Sequence, residues 1–81
     1  MEIKILGMGC PKCKRVEALA MEAAKEAGVE ATFTKVDAMA DIMSYDVFTT
    51  PALVIDEEVK ASGRIPRKAE IAEWVRTAAG Q

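Results

Sequence analysis

Gly7-Met8-Gly9-Cys10-Pro11-Lys12-Cys13 decides how this chain is read, because one backbone periodicity gives way to another there. Before it, Glu2 to Leu6 sets Ile3 and Ile5 around Lys4 and then adds Leu6, the pattern of a short strand. After it, from Pro11 to Ala27, Val16, Leu19, Ala20, Ala23 and Ala27 recur at spacings of three and four. Lys14, Arg15, Glu17, Glu22, Lys25 and Glu26 fall largely on other faces, as on a helix. Pro11 suits a first helical turn, where its missing N–H costs nothing, and Gly28 stands where a left-handed terminator belongs. A strand therefore feeds a glycine-bearing loop, and two cysteines open a helix.

That placement has chemical consequences. A helix start presents unpaired N–H groups and the positive end of the macrodipole, and both favour a thiolate over a thiol. Lys12, and less directly Lys14 and Arg15, add positive charge. Cysteines in such settings ionise at roughly pH 3.5–7.5, against about 8.5 for the free residue. The three-residue spacing predicts two sulfurs within bonding reach. Cys10, just before the helix, is the expected exposed nucleophile. Cys13, one turn in, is the expected buried residue that resolves a mixed disulfide. Gly7 and Gly9 are expected to keep bulk away and leave room for another chain. The same two thiolates would suit Cu(I), so a heavy-metal (Cu(I) or Zn) binding or delivery module using Cys10 and Cys13 is the alternative. Structural zinc wants four ligands, and the chain has no histidine and no second cysteine pair.

Working outward, Glu30 to Val36 reads as a second strand from Thr32, Phe33, Thr34 and Val36. Asp37 is the expected cap of a helix over Ala38 to Tyr45. Thr49-Thr50-Pro51 breaks the chain. Ala52 to Ile55 is a continuous apolar run, as in a buried strand. Asp56-Glu57-Glu58 is the expected solvated turn to a partner strand, Val59 to Ser62, although it lacks the usual hairpin glycine. Gly63 to Pro66 connects to a last helix, Arg67 to Ala79, with Ile71, Val75 and Ala78 on one face and Trp74 beside it. Met8, Met39 and Met43 are read as packing residues. The order β-α-β-α-β-β-α predicts an α/β fold, a four-stranded mixed sheet with helices on both faces.

Eighty-one residues imply one small domain, 1–81. With 11 basic and 13 acidic residues, there is no electrostatic case for nucleic acid. No run approaches the roughly 18 apolar residues of a membrane span. A Cys10–Cys13 bond closes a loop too short to staple a fold, which leaves redox chemistry or metal binding to explain the pair. The N-terminus is too short and too charged for a signal-peptide core, so a reducing, cytoplasmic location is the default. The length permits a monomer, the expected state.

Two separated segments carry a resemblance. Gly7 to Cys13, and Tyr45-Asp46-Val47-Phe48-Thr49-Thr50-Pro51-Ala52-Leu53-Val54-Ile55, together resemble the thioredoxin/glutaredoxin superfamily. The chain is similar in particular to its small prokaryotic redox-active disulfide proteins. The resemblance implies a minimal thioredoxin-like fold with Thr50–Pro51 cis and lying against the cysteine loop. The backbone there would pair with a substrate strand. It implies a thiol–disulfide oxidoreductase in which Cys10 and Cys13 do the chemistry and Pro11, Lys12, Thr50 and Pro51 support it. No cofactor beyond the redox-active disulfide is implied. The partners would be disulfide-containing proteins and a thioredoxin-reductase-like or low-molecular-weight thiol reductant. A redox-sensing binding domain is a third reading of the same fold.

The chain also departs from these families. Thioredoxins carry Trp before the first cysteine and Gly-Pro between the two, where this chain has Gly9 and Pro11-Lys12. Their buried acid, six residues before the first cysteine, is replaced by Lys4. Thr50-Pro51 fits part of a glutaredoxin's glutathione loop, but Ser62-Gly63-Arg64-Ile65 lacks the acid of its second turn. Arg64 remains a candidate partner for the carboxylate of another thiol. Gly7 to Cys13 also resembles the Gly-Met-x-Cys-x-x-Cys loop of heavy-metal chaperone domains. Those domains close on a strand, and this chain is expected to close on a helix.

Overall fold

The structure is a computed structural model that describes residues 1–7, 9 and 11–80. The elements run β1 Glu2–Leu6, α1 Pro11–Ala27, β2 Thr32–Val36, α2 Met39–Met43, β3 Ala52–Ile55, β4 Glu58–Ser62 and α3 Lys68–Ala78. The sheet order is β2-β1-β3-β4. β1 pairs in parallel with β2, placing Ile3 opposite Phe33 and Leu6 opposite Val36. β3 runs antiparallel to β1, placing Leu6 opposite Ala52, and β4 runs antiparallel to β3. The expected mixed four-stranded sheet is thus the observed one.

The strand pleat divides the core in two. Ile3, Ile5, Leu53 and Ile55 face α1 and α3, where Val16, Ala20, Ala23, Ile71 and Val75 meet them. Leu6, Ala52 and Val54 face the other way, onto Ile42 of α2 and Val47. Successive strand residues point to opposite faces, so the two central strands can be apolar throughout. All four residues of β3 are buried, whereas edge strand β2 has none that is. The alanines of α1 present short side chains that let the helix approach the sheet closely.

Chain ends and turns account for the differences from the expected boundaries. Gly28, at φ 69°, ends α1 in a Schellman motif: its N–H donates to Lys25 O, and Val29 N–H donates to Ala24 O. β2 begins at Thr32 rather than Glu30, because its partner strand begins only at Glu2; Thr32 N–H donates to Met1 O at 2.8 Å. Asp37 does not cap α2. Ala38 is the cap residue, and it supplies no side-chain hydrogen bond. α2 stops at Met43 instead of Tyr45, and the turn after it puts Asp46 at φ 58°. α3 begins one residue later than expected, with Glu70 Oε1 accepting from Arg67 N–H at 3.0 Å.

The hairpin turn forms without glycine. Asp56 and Glu57 both take positive φ, 47° and 68°, the signature of a primed turn. Contacts from outside the turn offset that conformation. Asp56 N–H donates to Glu2 O at 2.8 Å, and Glu2 N–H donates to Asp56 Oδ1 at 2.9 Å. Glu57 accepts from Lys4 Nζ at 2.6 Å and from the Tyr45 hydroxyl at 3.1 Å. Asp56-Glu57-Glu58 is therefore tied to β1 and to the end of the α2 turn, not merely solvated.

Candidate active site

Pro11 is the first residue of α1, with Lys12 exposed beside it. Cys13 follows and turns inward, 5% exposed, because it shares the buried face with Val16, Ala20 and Ala23. Its expected partner Cys10, like Met8, lies outside the described residues.

Gly7 continues β1 by one hydrogen bond, its N–H donating to Val36 O at 2.9 Å. A Cβ on Gly7 would overlap Cys13 Sγ, lie 3.2 Å from Cys13 Cβ and reach within 3.9 Å of Thr50 Cβ. Glycine is required at this position by the protein's own sulfur, a different reason from the room for a second chain that the sequence suggested. Gly9, at φ 79°, is in the left-handed region where L-residues are disfavoured.

The surroundings of Gly7 also place the second predicted segment. Thr50 is exposed and lies close to Gly7 and Cys13, and Pro51 is fully buried at the head of β3. The Thr50–Pro51 peptide bond is cis. Behind it, Gly63 N–H donates to Pro51 O at 2.9 Å. A Cβ on Gly63 would meet Thr49 Oγ1 at 2.7 Å, so the two loops pack closely there.

Beside Cys13 a cleft of about 80 Å³ opens between α1 and β2, lined by Ile5, Gly7, Glu17, Lys35 and Asp37, with Gly9 and Lys14. Glu17 and Lys35 form an ion pair across it at 3.5 Å. The sequence pattern placed Glu17 on an outward helix face, gave Asp37 only a capping role and did not single out Lys35. The available signal was that Glu17 follows Cys13 by four residues, one helical turn on the same side.

Lys4 belongs to a different arrangement. It shares the sheet face of Leu6 and Val54, away from α1. Its Nζ donates to Glu57 Oε1 at 2.6 Å and to the Tyr45 hydroxyl at 2.7 Å. The Glu57 hydrogen bond, then that of Tyr45, raises the Lys4 pKa, and Lys4 in turn lowers that of Glu57. Arg64, the expected candidate for an incoming carboxylate, is engaged inside the chain. Nη1 and Nη2 donate to Glu70 Oε1 and Oε2, each at 3.1 Å. Arg64, and then the Arg67 backbone N–H, pull Glu70 down to about 2. Met39 and Met43, expected to pack, are about half exposed at 53% and 49%, beside Phe48 at 79%. Trp74 packs against the core from α3. Among the described residues, no group of three or more His, Cys, Asp or Glu is placed to hold a metal ion. Among the same residues, no helix is long and apolar enough to cross a membrane.

A parallel β-α-β unit that opens its helix at an inward cysteine, next to a cis-proline heading a buried strand, defines a thioredoxin-like protein. Comparison with known proteins gives the same class. Residues 1–76 match the family model described as thioredoxin domain. A thioredoxin of Methanothermobacter thermautotrophicus is 41% identical over 71 residues, covering 88% of this chain and 92% of that protein. A thioredoxin of Methanocaldococcus jannaschii is 35% identical over 75 residues, covering 93% and 86%. The chain belongs to the thioredoxin family.

Proposed function

We propose that this chain, acting as one domain over residues 1–81, is a thiol–disulfide oxidoreductase that uses Cys10 and Cys13. The observation that carries this reading is Cys13, buried at the opening turn of α1 with Thr50, the residue before cis-Pro51, close to it across Gly7. Family membership supports a thioredoxin-like redox function.

In the proposed cycle the Cys10 thiolate attacks one sulfur of a substrate disulfide. A Cys10–substrate bond forms, and the other substrate sulfur leaves with the electron pair. Cys13 then loses its proton and attacks the Cys10 sulfur. The Cys10–Cys13 disulfide closes, and the second substrate thiolate departs, so two electrons have passed to the substrate. Pro11 starts the helix whose N–H groups favour the attacking thiolate, and Lys12 adds positive charge in the same turn. Exposed Thr50 offers backbone to an extended substrate segment. The substrates are disulfide-containing proteins, and the electrons come from a thioredoxin-reductase-like enzyme or a low-molecular-weight thiol. No cofactor beyond the disulfide takes part, and the protein works as a cytoplasmic monomer.

The test is a redox titration of the Cys10/Cys13 pair followed by turnover with thioredoxin reductase and with glutathione in parallel. A two-electron transition and disulfide reduction that Cys10→Ser abolishes are expected. Undiminished reduction by Cys10→Ser, or stoichiometric Cu(I) or Zn(II) with negligible turnover, would overturn the proposal.

A further inference from the structure

We propose that Glu17 accepts the proton that Cys13 must lose before it can close the disulfide. This inference rests on the dithiol reading above. Cys13 is only 5% exposed, and burial opposes formation of a charged thiolate. The resolving step therefore needs a proton acceptor within the protein. β1 does not supply one: Lys4 is a cation on the far face of the sheet, and Glu2, on that same face, pairs with Lys4 at 3.3 Å. The charged groups lining the cleft with Cys13 are Lys14 and Glu17 from α1 and Lys35 and Asp37 from β2 and the loop after it. Among the described residues, Glu17 and Asp37 are thus its two carboxylates.

Geometry separates the two. Glu17 and Cys13 are four residues apart on one helix, a spacing that sets Cβ atoms about 5–6 Å apart. Helical side chains lean toward the N-terminus, so Glu17 leans back over the turn that holds Cys13. Its side chain is 25% exposed, and Lys35 Nζ stands 3.5 Å from Oε1, which holds the carboxylate at the cleft. Asp37 is exposed and follows β2 on a loop, without a fixed relation to Cys13. A cleft of about 80 Å³ has room for bridging water between thiol and carboxylate. In the step, the Cys13 S–H proton passes to the Glu17 carboxylate and the sulfur's electron pair forms the bond to Cys10 sulfur. The departing substrate thiolate carries away the pair from the broken bond. The neutral Glu17 then returns its proton to solvent or to that thiolate.

The experiment uses the reduced full chain and an aromatic disulfide, dithiobis-nitrobenzoate, in stopped flow from pH 5 to 9. The first coloured thiolate released reports attack by Cys10, and the second reports closure by Cys13. General-base help is worth roughly a hundredfold or more. Glu17→Gln is therefore expected to slow the second release about a hundredfold at pH 6, with a rate rising nearly tenfold per pH unit. Wild type and Glu17→Asp are expected to show the shallower profile of a carboxylate base. The inference falls, and the dithiol reading survives, if Glu17→Gln keeps the wild-type rate and slope, or if Asp37→Asn alone produces the steep profile. If wild type releases neither thiolate, both fall together.

Discussion

Replacing Gly7 by alanine tests the packing that positions Cys13. The added Cβ would overlap Cys13 Sγ and stand 3.2 Å from Cys13 Cβ. The sulfur can rotate aside, but the backbone of α1 must also yield by a few tenths of an ångström. Overpacking of this kind costs about 1–3 kcal/mol, and alanine returns about 0.4–1 kcal/mol by restricting the unfolded chain. The expected net loss is about 1–2 kcal/mol, a fall in Tm of roughly 5–15 °C for a chain of this size. Calorimetry on four proteins measures it: wild type, Gly7→Ala, Cys13→Ala and the double variant. Removing the sulfur removes the main overlap, so Gly7→Ala is expected to cost at least twice as much with Cys13 present as with Cys13→Ala. The displaced sulfur should also slow closure, so that a Cys10 mixed disulfide accumulates in Gly7→Ala. Equal costs in the two backgrounds, or an unchanged Tm, would refute the close approach.

Two further outcomes concern stability. Glu70 is held at about 2 by Arg64 and the Arg67 N–H, below its unfolded value of about 4.3, so its contribution is present above pH 4.3 and lost as pH falls toward 2. Urea midpoints of wild type and Glu70→Gln should therefore differ at pH 7 and converge near pH 2, by a modest amount at this exposed, salt-screened site; a gap independent of pH contradicts the ion-pair account. Asp46 carries φ 58° at the end of the α2 turn, and Asp46→Gly should raise stability by up to about 1 kcal/mol by relieving that conformation; a lower Tm would mean that the aspartate side chain matters more than its backbone.

The elements that were legible in the sequence are those whose signals are local. β1 and α1 have the expected bounds because strand alternation stops at Leu6 and Pro11 can only begin a helix. β3 shows itself as an apolar run, and Cys13 reads as the buried cysteine because it lies one turn into the helix. What the sequence hid depends on partners that only the folded chain brings together. Asp56 and Glu57 hold positive φ without glycine because Glu2 and Lys4, more than fifty residues earlier, hold them there. Arg64 looked available until α3 brought Glu70 to it. Glu17 looked like an ordinary solvent-facing helix residue, and only the packing of α1 over β2 sets it beside Lys35 and the Cys13 cleft.

Mass analysis of Cys13→Ser after exposure to a disulfide-bonded protein substrate tests the central claim most directly. The account predicts a stable adduct joined through Cys10, formed faster than with a free thiol and released by dithiothreitol. A Cys10 that forms no adduct and also resists alkylation would contradict it.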